Sequence, residues 1–255
     1  MAEWQKHTLG DLPTFQATAI AAVPGIVQGF STRQGGVSAA PYDSLNLGSH
    51  VGDNLRDVLV NRQRVWANLG FTESEVALAE QVHGDGIGVV KVGTGGQPLP
   101  GVDALVTDLP HLLLMLFFAD CVPVYLVDPK RRAIGLVHAG WRGAAADITG
   151  KTVQKIAEEF GSEPSSCLAA IGPCIRGESY EVGPEVAAQF APHSAISGAS
   201  HLDLRQVIFR QLLAAGLPTE AIAVSDEDTF QNKQDFFSYR RDGITGRMAA
   251  FLGMK

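Results

Sequence analysis

The 255 residues contain no run of about 18 apolar residues, the length a membrane-crossing helix needs. The longest apolar stretch, "LLLMLFFA" from Leu112, is the size of a buried strand. Positive charge is scarce as well: 20 Lys and Arg against 27 Asp and Glu give a net charge of -7, which argues against a general binder of nucleic acid. The two "RR" pairs, Arg131-Arg132 and Arg240-Arg241, are too short to make a basic face. Cysteine is limited to Cys121, Cys167 and Cys174, an odd number that points to free thiols and not to a disulfide framework. The opening "MAEWQKHTLG" is too polar for a secretory leader. A soluble, cytoplasmic protein with neither membrane nor nucleic acid as partner is therefore expected.

Gly and Pro, 28 and 13 in number, are scattered through short loops and never gather into a linker, so one domain over residues 1–255 is expected. With 45% hydrophobic residues the chain can bury a sizeable core. "GIVQGFST" reads as a strand, followed by the Gly-rich loop "RQGGVSAAPYDSLNLGSHVGD", whose length suggests a functional or a disordered segment. Asp53 is placed to cap a helix with Leu55, Val58, Leu59, Val65, Trp66 and Leu69 at helical spacing and Gly70 as its stop. "EVALAEQVHGDGIGVVKV" reads as two strands around an "HGDG" turn, with His83 at a strand end. "DALVT", "LLLMLFF", "VPVYLVD" and "AIGLVHA" suggest a buried sheet, the last two forming a hairpin across "DPKRR".

Further on, "AAADITGKTVQKIAEEF" reads as a helix and "SSCLAAIGP" as a strand. "PEVAAQF" and "LRQVIFRQLLAAG" are helical, the second with Asp203 as cap and Gly216 as stop. "FFSYRRDGITGRMAAFL" reads as a closing hairpin around "RDGITG". Mixed sheets covered by helices, an α+β fold, are the expected architecture.

Within the hairpin, Cys121 stands just before one strand and His138 at the end of its partner, so antiparallel pairing brings them to the same end. His83 lies at another strand end beside Gly84. Two imidazoles and a thiolate suit zinc, and three protein ligands leave an open fourth position, the mark of a catalytic site. They also suit copper, but no short ligand motif is present, and from spacing alone separate packing or hydrogen bonding of each residue is the more economical reading.

At a larger scale the chain resembles a known family. "STRQGGVS", "YDSLNLG", "VGDN", "NR", "QVHG", "ADCVPV", "HAGWRG", "IGPCI", "YEVG" and "FFSYRRDGITGRMA" follow, in order and nearly complete, the motifs of the YfiH-like proteins. These are also called laccase-domain proteins, multicopper polyphenol oxidases or peptidoglycan editing factors. The likeness spans about Gly25 to Phe251. It implies a layered α/β/β/α domain with mixed β-sheets, related to cytotoxic-factor cysteine hydrolases. It also implies one zinc, with copper as an alternative occupant, held by His83, Cys121 and His138, which would be the catalytic centre.

The activities implied are phosphorolysis of adenosine, inosine, guanosine and methylthioadenosine, with adenosine deamination beside it. A purine nucleoside and phosphate are then the partners. Phosphorolysis needs an anion held beneath the ribose C1′, and Arg33, Arg142 and the backbone of "QGGVS" are the candidates to hold it. Deamination needs water activated near neutral pH, which zinc with an open position provides. Asn46 is placed to contact a ribose or base, or to stabilise a turn. Asp120 is placed to orient a ligating imidazole or to remain solvated. Without metal, Cys121 beside a histidine would resemble an activated nucleophile.

Cys167 and Cys174 are expected to be buried packing thiols. Trp141, Phe117 and Phe118 are read as core or pocket wall, and His50 as able to approach the site. Asp228 stands where many relatives carry a late cysteine. A four-copper oxidase is harder to accommodate, since it needs a blue-copper site and a histidine-rich cluster, and the chain has seven His in all. A hydrolase editing cell-wall precursors is a further alternative.

Overall fold

The structure, a computed structural model, describes residues 3–92, 96–190, 195–197 and 200–255. Its fold is α+β, and two six-stranded mixed sheets carry it. In chain order the strands are β1 (Trp4–Leu9), β2 (Leu12–Ala17), β3 (Ile26–Ser31), β4 (Val76–Leu78), β5 (Ile87–Val89), β6 (Ala104–Thr107), β7 (Leu112–Phe118), β8 (Val122–Asp128), β9 (Ala133–Ala139), β10 (Leu168–Ile171), β11 (Ile196–Ser197), β12 (His201–Leu202), β13 (Ile222–Val224) and β14 (Met248–Met254). The helices are α1 (Thr18–Ala21), α2 (Leu55–Leu69), α3 (Trp141–Ala145), α4 (Ile148–Phe160), α5 (Pro184–Phe190), α6 (Leu204–Ala214) and α7 (Tyr239–Asp242). The first sheet runs β1-β2-β3-β14-β7-β4 and the second β13-β10-β8-β9-β6-β5, with β11 and β12 a separate pair.

Strand periodicity explains the layering. Successive side chains leave a strand on opposite faces, so on β7 Leu114, Leu116 and Phe118 enter the core between the sheets while Leu113, Met115 and Phe117 face outward. On β8, Tyr125 and Val127 join that inner core, and Val122, Val124 and Leu126 face the other way. Both faces are apolar because both are covered. Val65, Trp66 and Leu69 of α2 pack on the outer face of the first sheet. Ile148, Val153 and Ile156 of α4, with Val207, Ile208 and Leu212 of α6, cover the second. The α/β/β/α order follows from those contacts. No helix among the described residues is long and apolar enough to cross a membrane.

The hairpin of β8 and β9 pairs Val122 with Ala139 and Pro123 with His138, as expected. Asp203 caps α6 by accepting from the Arg205 amide at 3.0 Å. Other segments differ from their sequence reading. The cap of α2 is Asn54, whose side chain accepts from the Arg56 amide, whereas Asp53 accepts from the Asn46 side chain. The strands around "HGDG" do not pair: β4 joins the first sheet beside β7, and β5 joins the second beside β6. The helix after "HAGWRG" is broken at Asp147, left-handed with φ 57°, whose carboxylate caps α4 through the Gly150 amide.

The closing segment is not a hairpin. Phe236 and Phe237 both enter the inner core, which adjacent residues of a regular strand do not do. Arg241 donates to the carbonyls of Thr229, Phe230 and Phe236, fixing an irregular turn that leads into α7. β14 then inserts between β3 and β7.

Candidate metal centre and cavity

Two loops and a strand end deliver the histidine and cysteine set. Cys121 sits at the mouth of β8, His138 near the end of β9, and His83 in the crossing between the sheets with φ 58°. Their ligand atoms all lie within 4.8 Å of one another, the one group of this kind among the described residues. The two imidazoles meet edge to face at 4.9 Å between ring centres. A tetrahedral zinc, with bonds of about 2.1 Å to nitrogen and about 2.3 Å to sulfur, holds its ligands about 3.5 Å apart. The donor set and its spacing fit such an ion after small side-chain adjustments.

A residue absent from the sequence reading organises this set. Asp103, fully buried directly before β6, accepts from His138 Nδ1 at 2.8 Å. That bond leaves Nε2 as the free ring nitrogen. The same carboxylate accepts from the amides of Val82, His83 and Gly84 at 3.1, 3.0 and 2.8 Å. Burial would raise the Asp103 pKa, but these donors outweigh it and hold the carboxyl below its ordinary value. Its sequence signal was a lone acid directly before an apolar strand.

Burial also acts against a charged Cys121, yet His138 and His83 beside the thiol lower its pKa overall. His138 moves in the opposite sense, raised by the thiolate and by Asp103 despite its burial. Without metal, each of the two therefore favours the charged form of the other. Cys167 and Cys174 are buried thiols as expected, and burial pushes Cys167 up to about 12.

The set opens into a cavity of about 760 Å³. Arg142, Arg240 and Arg247 line it, with Phe117, Trp141, Tyr180 and Tyr239 as aromatic walls and His50 among the polar ones. Arg142 lies over the Trp141 ring at 4.3 Å, and Arg240 over the Tyr180 ring at 5.0 Å. His50 is held toward its neutral form by burial and by Arg247 and Arg62 nearby. Phe118, by contrast, is a core residue packed against His138 at 5.1 Å.

Two expected substrate residues lie elsewhere. Arg33 is outside this cavity, where its guanidinium meets Asp43 at 3.3 Å and stacks on Phe237 at 4.5 Å. Asn46 is fully buried and satisfied within the chain, donating to Gly48 and Asp53 and accepting from the amides of Gly48 and Arg247. It is the turn-stabilising alternative that the structure displays. Asp120 orients no imidazole; it is buried and accepts from the Thr229 hydroxyl and the Arg240 amide, each at 2.7 Å. Asp228 accepts from the Ser179 hydroxyl at 2.7 Å. Arg240 and Arg247 were unmarked by spacing, since only the fold brings them to the cavity.

Comparison with known proteins agrees with this architecture. The family model described as multi-copper polyphenol oxidoreductase laccase matches residues 27–255. A protein of Geobacillus stearothermophilus named purine nucleoside phosphorylase YlmD is 42% identical over 249 residues, 91% of each chain. Purine nucleoside phosphorylase YfiH of Escherichia coli is 37% identical over 238 residues, 89% of this chain and 93% of its own. The solved structure of YlmD from Geobacillus stearothermophilus superposes with a TM-score of 0.93 at 38% identity, covering 100% of both chains. That of the hypothetical protein YfiH from Bacillus licheniformis gives 0.93 at 35% identity over 99% of both.

Proposed function

The chain belongs to the YfiH-like family, whose model is described as multi-copper polyphenol oxidoreductase laccase, and we propose that it is a zinc-dependent purine nucleoside phosphorylase. Adenosine, inosine, guanosine and methylthioadenosine are its proposed substrates, with deamination of adenosine as a side reaction. The observation that carries this reading is one cavity combining a metal-type ligand set, three arginines and aromatic walls. Relatives about 40% identical over most of the chain bear the phosphorylase name. The whole chain, residues 1–255, is proposed to act as one domain in the cytoplasm.

In this reading the phosphate lies against Arg142 and Arg240 or Arg247, because guanidinium groups bind phosphate in pairs of charge-assisted hydrogen bonds. This role passes to Arg240 and Arg247 from Arg33, which its own loop engages. The purine rests on Tyr180, Tyr239 or Trp141. A phosphate oxygen forms the bond to ribose C1′ as the C1′–N9 bond breaks, and the proton of hydrogen phosphate ends on the departing base. His138, His83 and Cys121 would hold the zinc, with Asp103 behind the two histidines. When bound there, zinc supplies a Lewis acid and activates water, the chemistry a deamination needs.

A four-copper oxidase fits less well, because the described residues offer one His and Cys cluster where that chemistry needs several. The direct test is purified, metal-analysed protein with adenosine or inosine, with and without phosphate, and products resolved by chromatography. Phosphate-dependent release of adenine or hypoxanthine is expected. Oxygen consumption on phenols without nucleoside turnover would favour the oxidase. Turnover of cell-wall precursor peptides in place of nucleosides would favour an editing hydrolase.

A further inference from the structure

We infer that Asp103 is a positioning residue that assembles the metal site before the metal arrives, by fixing both histidine ligands from one buried carboxylate. The inference rests on the zinc reading of the His83, Cys121 and His138 group. A fully buried carboxylate is costly unless its charge is compensated. Asp103 is compensated by four donors: Nδ1 of His138 and the amides of Val82, His83 and Gly84. Every one of them belongs to a ligand or to the turn that carries one.

The effects on the two ligands differ. For His138, the carboxylate fixes the ring orientation and occupies Nδ1, so Nε2 is presented to the cavity. The Asp103 carbonyl also accepts from the His138 amide at 2.7 Å, joining the two residues through side chain and backbone. For His83, the control is of the backbone. A left-handed conformation, φ 58° here, is unfavourable for a residue with a Cβ. Three consecutive amides converging on one carboxylate stabilise it. The exposed His83 side chain would otherwise ride on a free loop, since β4 and β5 on either side belong to different sheets.

An ordinary buried aspartate would affect stability alone; a positioning residue must change metal binding. The test is zinc affinity by competition with a chromophoric chelator, in the wild type and in Asp103→Asn. The asparagine keeps the shape but points an NH2 group at donors. A loss of about 10- to 100-fold in affinity is expected in a variant that remains folded by circular dichroism. Hydrogen exchange on metal-free wild-type protein provides a second measurement that needs no variant. The amides of Val82, His83 and Gly84 should be protected before zinc is added. Unchanged affinity in a folded Asp103→Asn, or unprotected amides in the metal-free wild type, would overturn the inference. Wild-type protein that takes up no zinc would instead overturn the metal reading beneath it.

Discussion

The Asp120 carboxylate accepts the backbone N–H of Arg240 at 2.7 Å, tying the residue beside Cys121 to one of the arginines that line the cavity. Its other oxygen accepts from Thr229 at 2.7 Å, and its backbone sits at φ 90°. Such a conformation persists only where the surroundings enforce it. Arg240 in turn donates to the Glu181 carbonyl at 2.6 Å, so Tyr180, Arg240 and the thiol loop form one connected frame. Asp120→Ala should remove both bonds, leave the buried Thr229 hydroxyl without its acceptor and lower stability by about 1–3 kcal/mol. With Arg240 released, the KM for phosphate should rise. Chemical denaturation and phosphate titration of activity measure the two effects, and an unchanged KM would show that Arg240 does not bind phosphate.

The arginines divide into two groups that mutation should separate. Arg142 is exposed at the cavity with an aromatic ring as its neighbour, whereas Arg33 is engaged by Asp43 and by Phe237 outside it. Arg142→Ala should raise the KM for phosphate about 10- to 100-fold, the worth of a charge-assisted contact. Arg33→Ala should leave that KM unchanged. The reverse pattern would return the phosphate site to the loop after β3.

Much of this was legible in the sequence because period-2 apolar runs and turn residues act locally. The β8 and β9 hairpin follows from two Val-rich runs around "DPKRR", and with it the meeting of Cys121 and His138. Three kinds of feature were not legible. The polar β1 strand hides its edge role, since four of its six residues are exposed and no apolar alternation marks it. Phe236 and Phe237 mimic a strand in composition but are held in a turn by Arg241 across the chain. Asp103 could not be told from any other acid before a strand, because its partners lie 35 residues later and about 20 residues earlier. His193, for which the sequence offers no partner, lies outside the described residues.

Space around the ligands is tight at Gly140. A Cβ there would lie 3.3 Å from Cys121 Sγ and 3.4 Å from His83 Cδ2. Both neighbours would have to yield by a few tenths of an ångström. Gly140→Ala should therefore displace ligand atoms while leaving the fold intact, because φ at this position is -77°, open to any residue. A lower zinc affinity with a nearly unchanged melting temperature is the expected result. Equal zinc affinity would mean that the ligands move aside without consequence.

The pairing of Cys121 with His138 makes the metal-free thiol distinctive. Burial would raise its pKa, but the neighbouring His138 and His83 lower it from 9.0 to about 6. Cys167 and Cys174 go the other way through burial. The thiolate is the reactive form, so iodoacetamide at pH 7.5 should alkylate Cys121 and spare the other two, as peptide mapping would read. Because the pKa is depressed, reactivity should be full above about 7 and fall about tenfold per pH unit below 6. His138→Ala removes the largest of the lowering influences and should shift that profile upward. Zinc should suppress alkylation, since the ligand sulfur is then bound, and should do so less readily at low pH, where protons compete for Cys121 and His138. A rate that climbs about tenfold per pH unit through neutrality and levels off only above about 8.5 would mean an ordinary thiol, without the imidazolium beside it.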